Sequence, residues 1–181
     1  MAEAENQALT DTLEDGTAPS TTQVADTTIE GDPFGPSEDV QCASGTSDLG
    51  VFDAYNSGTQ VRQRLCAIPN IPSTSQESTP GDVFYINGAD GKAIVNSRVS
   101  GAVYSMAQAA VADGVQLSAR SSFRTMAHQE ALWNSNPNPS EVAPPGQSNH
   151  QNGTAIDFDA GSTYGGQTCS ARATAPGNKQ W

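Results

Sequence analysis

The sequence predicts an α+β domain built on a small, mainly antiparallel sheet with flanking helices. Three observations carry this. Val99, Val103, Met106, Ala107 and Ala110 recur at helical spacing; Val115–Ala119 alternates apolar and polar residues; Thr154–Phe158 is a compact strand-like run. The sequence has no Gly-rich phosphate loop and no internal repeat, which sets it apart from nucleotide-binding and solenoid architectures.

In chain order, Val61–Ile68 fits a short helix or a strand, and Pro69–Gly81 is a loop rich in Pro, Ser and Thr. Asp82–Ile86 is predicted as a strand, with Asn87-Gly88 as the turn after it. The helix through Val99–Ala110 stops at Asp113-Gly114. Ser121–Arg124 leads from the next strand into a second short helix, with Thr125 as N-cap and Ala127, Ala131 and Leu132 on one side. Asn134–Asn149 is a Pro-containing loop, and Ala160–Gly177 is again loop-like.

The chain has 181 residues and a net charge of −12. Residues 1–40 hold ten of the twenty acidic side chains and none of the eight Lys and Arg, leaving ten acids against eight bases over 41–181. The acidity therefore belongs to the tail. We divide the chain into a disordered acidic linker, 1–40, closed by Pro33, Gly35 and Pro36, and a domain over 41–181. A nearly neutral domain offers no basic face for nucleic acid. No apolar run reaches membrane-spanning length, so a soluble chain is expected. Met1-Ala2-Glu3 is not followed by an apolar stretch, so no secretory signal is visible. Cys42 and Cys66 bracket a Gly/Ser-rich stretch and suit a disulfide at the entrance to the domain; metal ligation is the rival reading, but the spacing is wide and no Cys-x-x-Cys pair exists. Cys169 is then left over.

Two segments carry chemistry. In Ser148-Asn149-His150-Gln151-Asn152-Gly153-Thr154-Ala155-Ile156-Asp157, an imidazole sits in a loop and a carboxylate follows seven residues on, in a strand. The two suit zinc, and the alternative is a loop histidine beside a structural aspartate. In Ser121-Ser122-Phe123-Arg124-Thr125-Met126-Ala127-His128-Gln129, Arg124 at a strand-to-helix junction could clamp a carboxylate; alternatively it forms a salt bridge with Asp113 or Asp157.

Together, Ser-Ser-Phe-Arg-Thr…Gln followed by Ser-x-His-x-x-Gly-x-Ala-x-Asp resembles the VanY-like zinc D-alanyl-D-alanine carboxypeptidases. These peptidoglycan peptidases share a fold with the D,D-dipeptidases and the Hedgehog signalling domain. The resemblance is specific over Ser97–Asp159 and weak before residue 80. It implies His150 and Asp157 as two of three zinc ligands, Arg124 as a substrate contact, Gln129 and Ser148 as pocket residues, and Gly153 as structural. His128 gains no role from it and is expected on the helix surface. The family's third ligand is a histidine in a C-terminal Glu-x-x-His stretch whose Glu is the general base. This chain has two histidines and ends at Trp181, so it is expected to stop short of that motif; an unpaired Cys169 fits the same picture. The implied activity is removal of the terminal D-alanine from stem peptides by an extracytoplasmic, monomeric enzyme. An L,D-carboxypeptidase, an endolysin-type endopeptidase, or a non-catalytic peptidoglycan-binding module are the alternatives.

Overall fold

The computed structural model describes residues 32–158 together with two short strands, Thr163–Tyr164 and Gln167–Thr168. Most of the acidic linker, and Cys169, lie outside the described residues. The main sheet has three antiparallel strands, β1 (Ser47–Asn56), β2 (Thr59–Pro72) and β3 (Lys92–Asn96), with β2 in the middle. Asn56 pairs with Thr59, so Ser57-Gly58 is a two-residue hairpin turn. Both turn residues have positive φ, 49° and 83°, the backbone twist that matches flanking right-twisted strands.

Two apolar clusters form on opposite sides of this sheet. Leu65 and Ile94 point one way, to Ala54, Ile86, Ala89 and Phe123; Ile68, Ala93 and Val95 point the other way, to Ile71, Ala107 and Ala119. Because β2 is covered on both sides, Leu65-Cys66-Ala67-Ile68 is fully buried and reads as a continuous apolar run. The helix α1 (Ser97–Ala112) covers the second cluster with Val99, Val103 and Ala107, as its spacing predicts, and with Tyr104, whereas Met106, expected on the same face, is exposed. Cys42 and Cys66 are joined in a disulfide that fastens the segment before β1 to the centre of β2.

Three expectations need adjustment, and one left open between helix and strand is settled. Val61–Ile68 is strand. Asp82–Ile86 is not: it is a run of turns in which Tyr85 N–H bonds Asp82 O and Ile86 N–H bonds Glu77 O. Its apolar residues are recruited singly, Ile86 into the core and Phe84 toward a cleft, while Lys92–Asn96 takes the edge of β2. The strand predicted over Val115–Ala119 divides into β4 (Val115–Gln116) and β5 (Ala119–Ser121). β4 pairs with β7 (Thr163–Tyr164), which pairs with β8 (Gln167–Thr168). The strand over Thr154–Phe158 is reduced to β6 (Asp157–Phe158), antiparallel to β5. The second helix, α2 (Met126–Ser135), starts where expected, with Thr125 Oγ1 accepting from His128 N–H.

A buried polar network fixes the turn that follows the loop. Asn96 ends β3 and caps α1, accepting from Val99 N–H through its side chain. Its backbone N–H bonds Gly153 O at 2.9 Å, and its Nδ2 donates to Asn152 O. Asn152 in turn accepts from the buried Gln63 of β2 and donates to Phe34 O. Gly153 has φ +74°, and a Cβ there would lie 2.8 Å from Asn96 N. Gly153→Ala should therefore combine left-handed strain with a backbone clash, destabilising the fold by about 2–3 kcal/mol and lowering Tm by on the order of 5–10 °C. An unchanged melting curve would contradict the close approach. Cys42→Ser should cost about 3 kcal/mol through the released loop, read by urea denaturation.

Candidate metal and substrate site

The docked turn carries His150. Asn149–Asn152 form one 3-10 turn, and Ser148, its N-cap, accepts from His150 N–H through Oγ. The neighbouring segment Ser121–Arg124 faces it. His150 Nδ1 donates to Ser122 O at 2.8 Å, and Arg124 N–H bonds His150 O at 2.9 Å. Ser122 is held in turn by β3, its Oγ accepting from Ile94 N–H. A ring that spends Nδ1–H on a backbone carbonyl carries its lone pair on Nε2. Burial lowers the His150 pKa, opposed by the Ser122 carbonyl, and the adjacent Arg124 lowers it further. The neutral ring is thereby favoured.

β6 brings the carboxylate. Ser121 pairs with Asp157, so the strand register puts Asp157 beside the histidine, with Oδ2 3.3 Å from His150 Nε2. With the neutral ring, two lone-pair donors converge. Two donors about 2.1 Å from one tetrahedral ion would sit ~3.4 Å apart, so the pair fits zinc. The Nδ1 bond to Ser122 O supplies the orienting contact that metal-binding histidines require. The 61% exposed Asp157 side chain opens the position to the cleft. Among the described residues no group of three or more His, Cys, Asp and Glu gathers at one point.

Arg124 lies alongside. Its guanidinium donates to Gln129 Oε1 at 2.8 Å and to Ser121 Oγ at 2.9 Å, rather than pairing with Asp113 or Asp157. Gln129 is fully buried and donates to Ala143 O, so it is a brace behind Arg124. Ser148 is nearly buried at the base of the His150 turn. Arg124 Nε is buried without a hydrogen-bond partner among the described residues. Burial also lowers the Arg124 pKa, opposed by Glu77 and Asp157. The group stays cationic, given how far the guanidinium pKa lies above neutrality.

Ser121, Arg124 and Asp157 line a cleft of about 730 Å³ together with Arg120, His128 and Phe84; Gln129 and Ser148, expected as pocket residues, are buried behind it and His150 is not in its lining. His128 is not on the free helix surface, as the sequence suggests. Its side chain is 14% exposed, stacked on Phe84 and bonded through Nδ1 to the buried Glu77 at 2.7 Å. Glu77, Phe84 and Arg120 escape sequence reasoning. Glu77 is a single acid in a Pro/Ser/Thr loop, 51 residues from the histidine it meets, and no spacing announces it.

Residues 92–179 match the family model VanY, described as D-alanyl-D-alanine carboxypeptidase. No curated protein and no solved structure matched the chain significantly. The matched span contains Arg124, Gln129, Ser148, His150 and Asp157; Glu77 and Phe84 precede it. With the paired His150 and Asp157 and the braced Arg124 all inside that span, residues 92–179 are similar to the VanY D-alanyl-D-alanine carboxypeptidase family of peptidoglycan peptidases.

Proposed function

We propose that this protein is a zinc-dependent D,D-carboxypeptidase that removes the terminal D-alanine from peptidoglycan stem peptides outside the cytoplasm. The observation that supports this most is the convergence of His150 Nε2 and Asp157 Oδ2 at 3.3 Å, with Nδ1 already committed to Ser122 O. His150 and Asp157 would hold the ion, which when bound supplies Lewis-acid polarisation of the scissile carbonyl. Arg124 would orient the peptide by donating from its guanidinium to a carbonyl or terminal carboxylate oxygen. Its remaining bonds to Gln129 and Ser121 fix the planar fork, so little side-chain entropy is lost when the peptide arrives. Arg120 and Arg124 face the cleft against Asp157, and this local cationic character suits a carboxylate-bearing peptide in a chain of net charge −12.

Three outcomes test this reading. A defined stem pentapeptide should lose one D-alanine, the reaction should stop on chelation, and added zinc should restore it; release of internal fragments would instead indicate an endopeptidase. Arg124→Ala should reduce kcat/KM about a hundredfold while bound zinc is unchanged; parallel loss of zinc would contradict the orienting role. The third outcome concerns pH in metal-free protein. Since burial lowers the His150 pKa, the unfolded chain binds protons more readily than the fold. This contribution to stability is complete above about pH 6.5 and is lost as pH falls from there through the folded-state value. His150→Asn, which keeps a donor for Ser122, should show a smaller fall in Tm between about pH 7 and 5.5. Identical falls in both proteins would contradict the buried, neutral ring.

A further inference from the structure

His128 has a place in the cleft that the metal-site residues do not account for. Its ring is fixed on two sides: Phe84 stacks on its face at 4.7 Å between centroids with an 8° tilt, and Glu77 Oε1 takes its Nδ1 at 2.7 Å. Glu77 is 1% exposed, and among the described residues His128 is its one side-chain partner. The same oxygen accepts Thr125 N–H at 3.1 Å, so Glu77 anchors the start of α2 without needing the histidine. The bond to His128 therefore adds orientation rather than helix anchoring. A carboxylate accepts and cannot donate, so the shared hydrogen is on Nδ1, and the lone pair of the neutral ring is on Nε2. Flipping the ring would put a carbon against Glu77. Among the described residues Nε2 has no hydrogen-bond partner, while the side chain lines the cleft with Arg124 and Asp157.

We propose that His128 is a substrate-contacting residue whose Nε2 accepts a hydrogen bond from a backbone N–H of the peptide in the cleft, with Glu77 and Phe84 as its positioning residues. The proposal rests on reading the cleft as a peptide site. It places a specificity contact partly in residues that precede the family-matched span, so the recognition of the peptide is shared between the two parts of the domain. A lone-pair acceptor beside two guanidiniums complements a peptide: the cations take its oxygens, and the imidazole takes an N–H.

The chain has two histidines, so uniform 15N-histidine labelling gives two resolvable rings and reports the tautomer of each directly. In the free protein, His128 should show the Nδ1–H form. Titrating the full chain with a stem pentapeptide ending in D-alanyl-D-alanine should move His128 Nε2, whereas zinc should move His150 Nε2. In parallel, His128→Asn keeps a donor to Glu77 and removes Nε2; it should raise KM about five- to tenfold, the worth of one hydrogen bond, with kcat within a factor of two and Tm retained. Peptide hydrolysis with an unmoved His128 and an unchanged KM overturns this inference and leaves the proposed activity standing. A shift of His128 Nε2 without hydrolysis supports the inference and overturns the activity. No response of His128 to the peptide together with no hydrolysis overturns both.

Discussion

The contact between Asn96 and Gly153 holds the site together. Asn96 N–H meets Gly153 O at 2.9 Å, closer than any side chain at 153 would allow, and the Asn96 side chain takes up Asn152 O and caps α1 at once. One residue thus joins the end of β3, the start of α1 and the turn that presents His150. The polar groups involved are buried, so each would be costly if left unpaired, and the network tolerates few alternative arrangements. Gln63, from the middle strand, extends it through Asn152 to the segment around Phe34 and Gly35.

From that anchor the chemistry follows by register. Ser122 is pinned to β3 through Ile94, and His150 is pinned to Ser122 and Arg124, so the two motif segments hold each other through backbone atoms. The strand pair β5–β6 then sets Asp157 opposite Ser121. Backbone placement of this kind spares side-chain groups from structural duty: His150 Nε2 and the exposed Asp157 carboxylate meet each other at 3.3 Å, while Arg124, braced by Gln129 and Ser121, lines the cleft with Asp157. The lowered pKa of His150 is a consequence of the same burial and keeps the ring in the form that a metal ion requires.

Much of this was legible in the sequence where the signal is local. Helical spacing over Val99–Ala110, the Thr125 cap and the two motif segments are short-range patterns, and α1, α2 and the His150–Asp157 pairing agree with them. What escaped is set by partners distant in sequence. β1 is interrupted by Gly50 at an irregularity in its pairing with β2, which obscures its alternation, and β3 is a five-residue run whose identity as the edge of the sheet comes from β2. Asp82–Ile86 has strand-like composition, yet its residues are used one by one across the core and the cleft. Glu77 and His128 meet across 51 residues, so a histidine that looks like helix surface becomes a cleft residue.

The most direct test of the account is equilibrium zinc binding by the full chain beside its His150→Ala and Asp157→Asn variants, with Tm measured in each. Zinc should bind the parent chain and be weakened in both variants, with a folded protein throughout. Zinc retained undiminished in both variants, or no zinc bound by a folded parent chain, would contradict it.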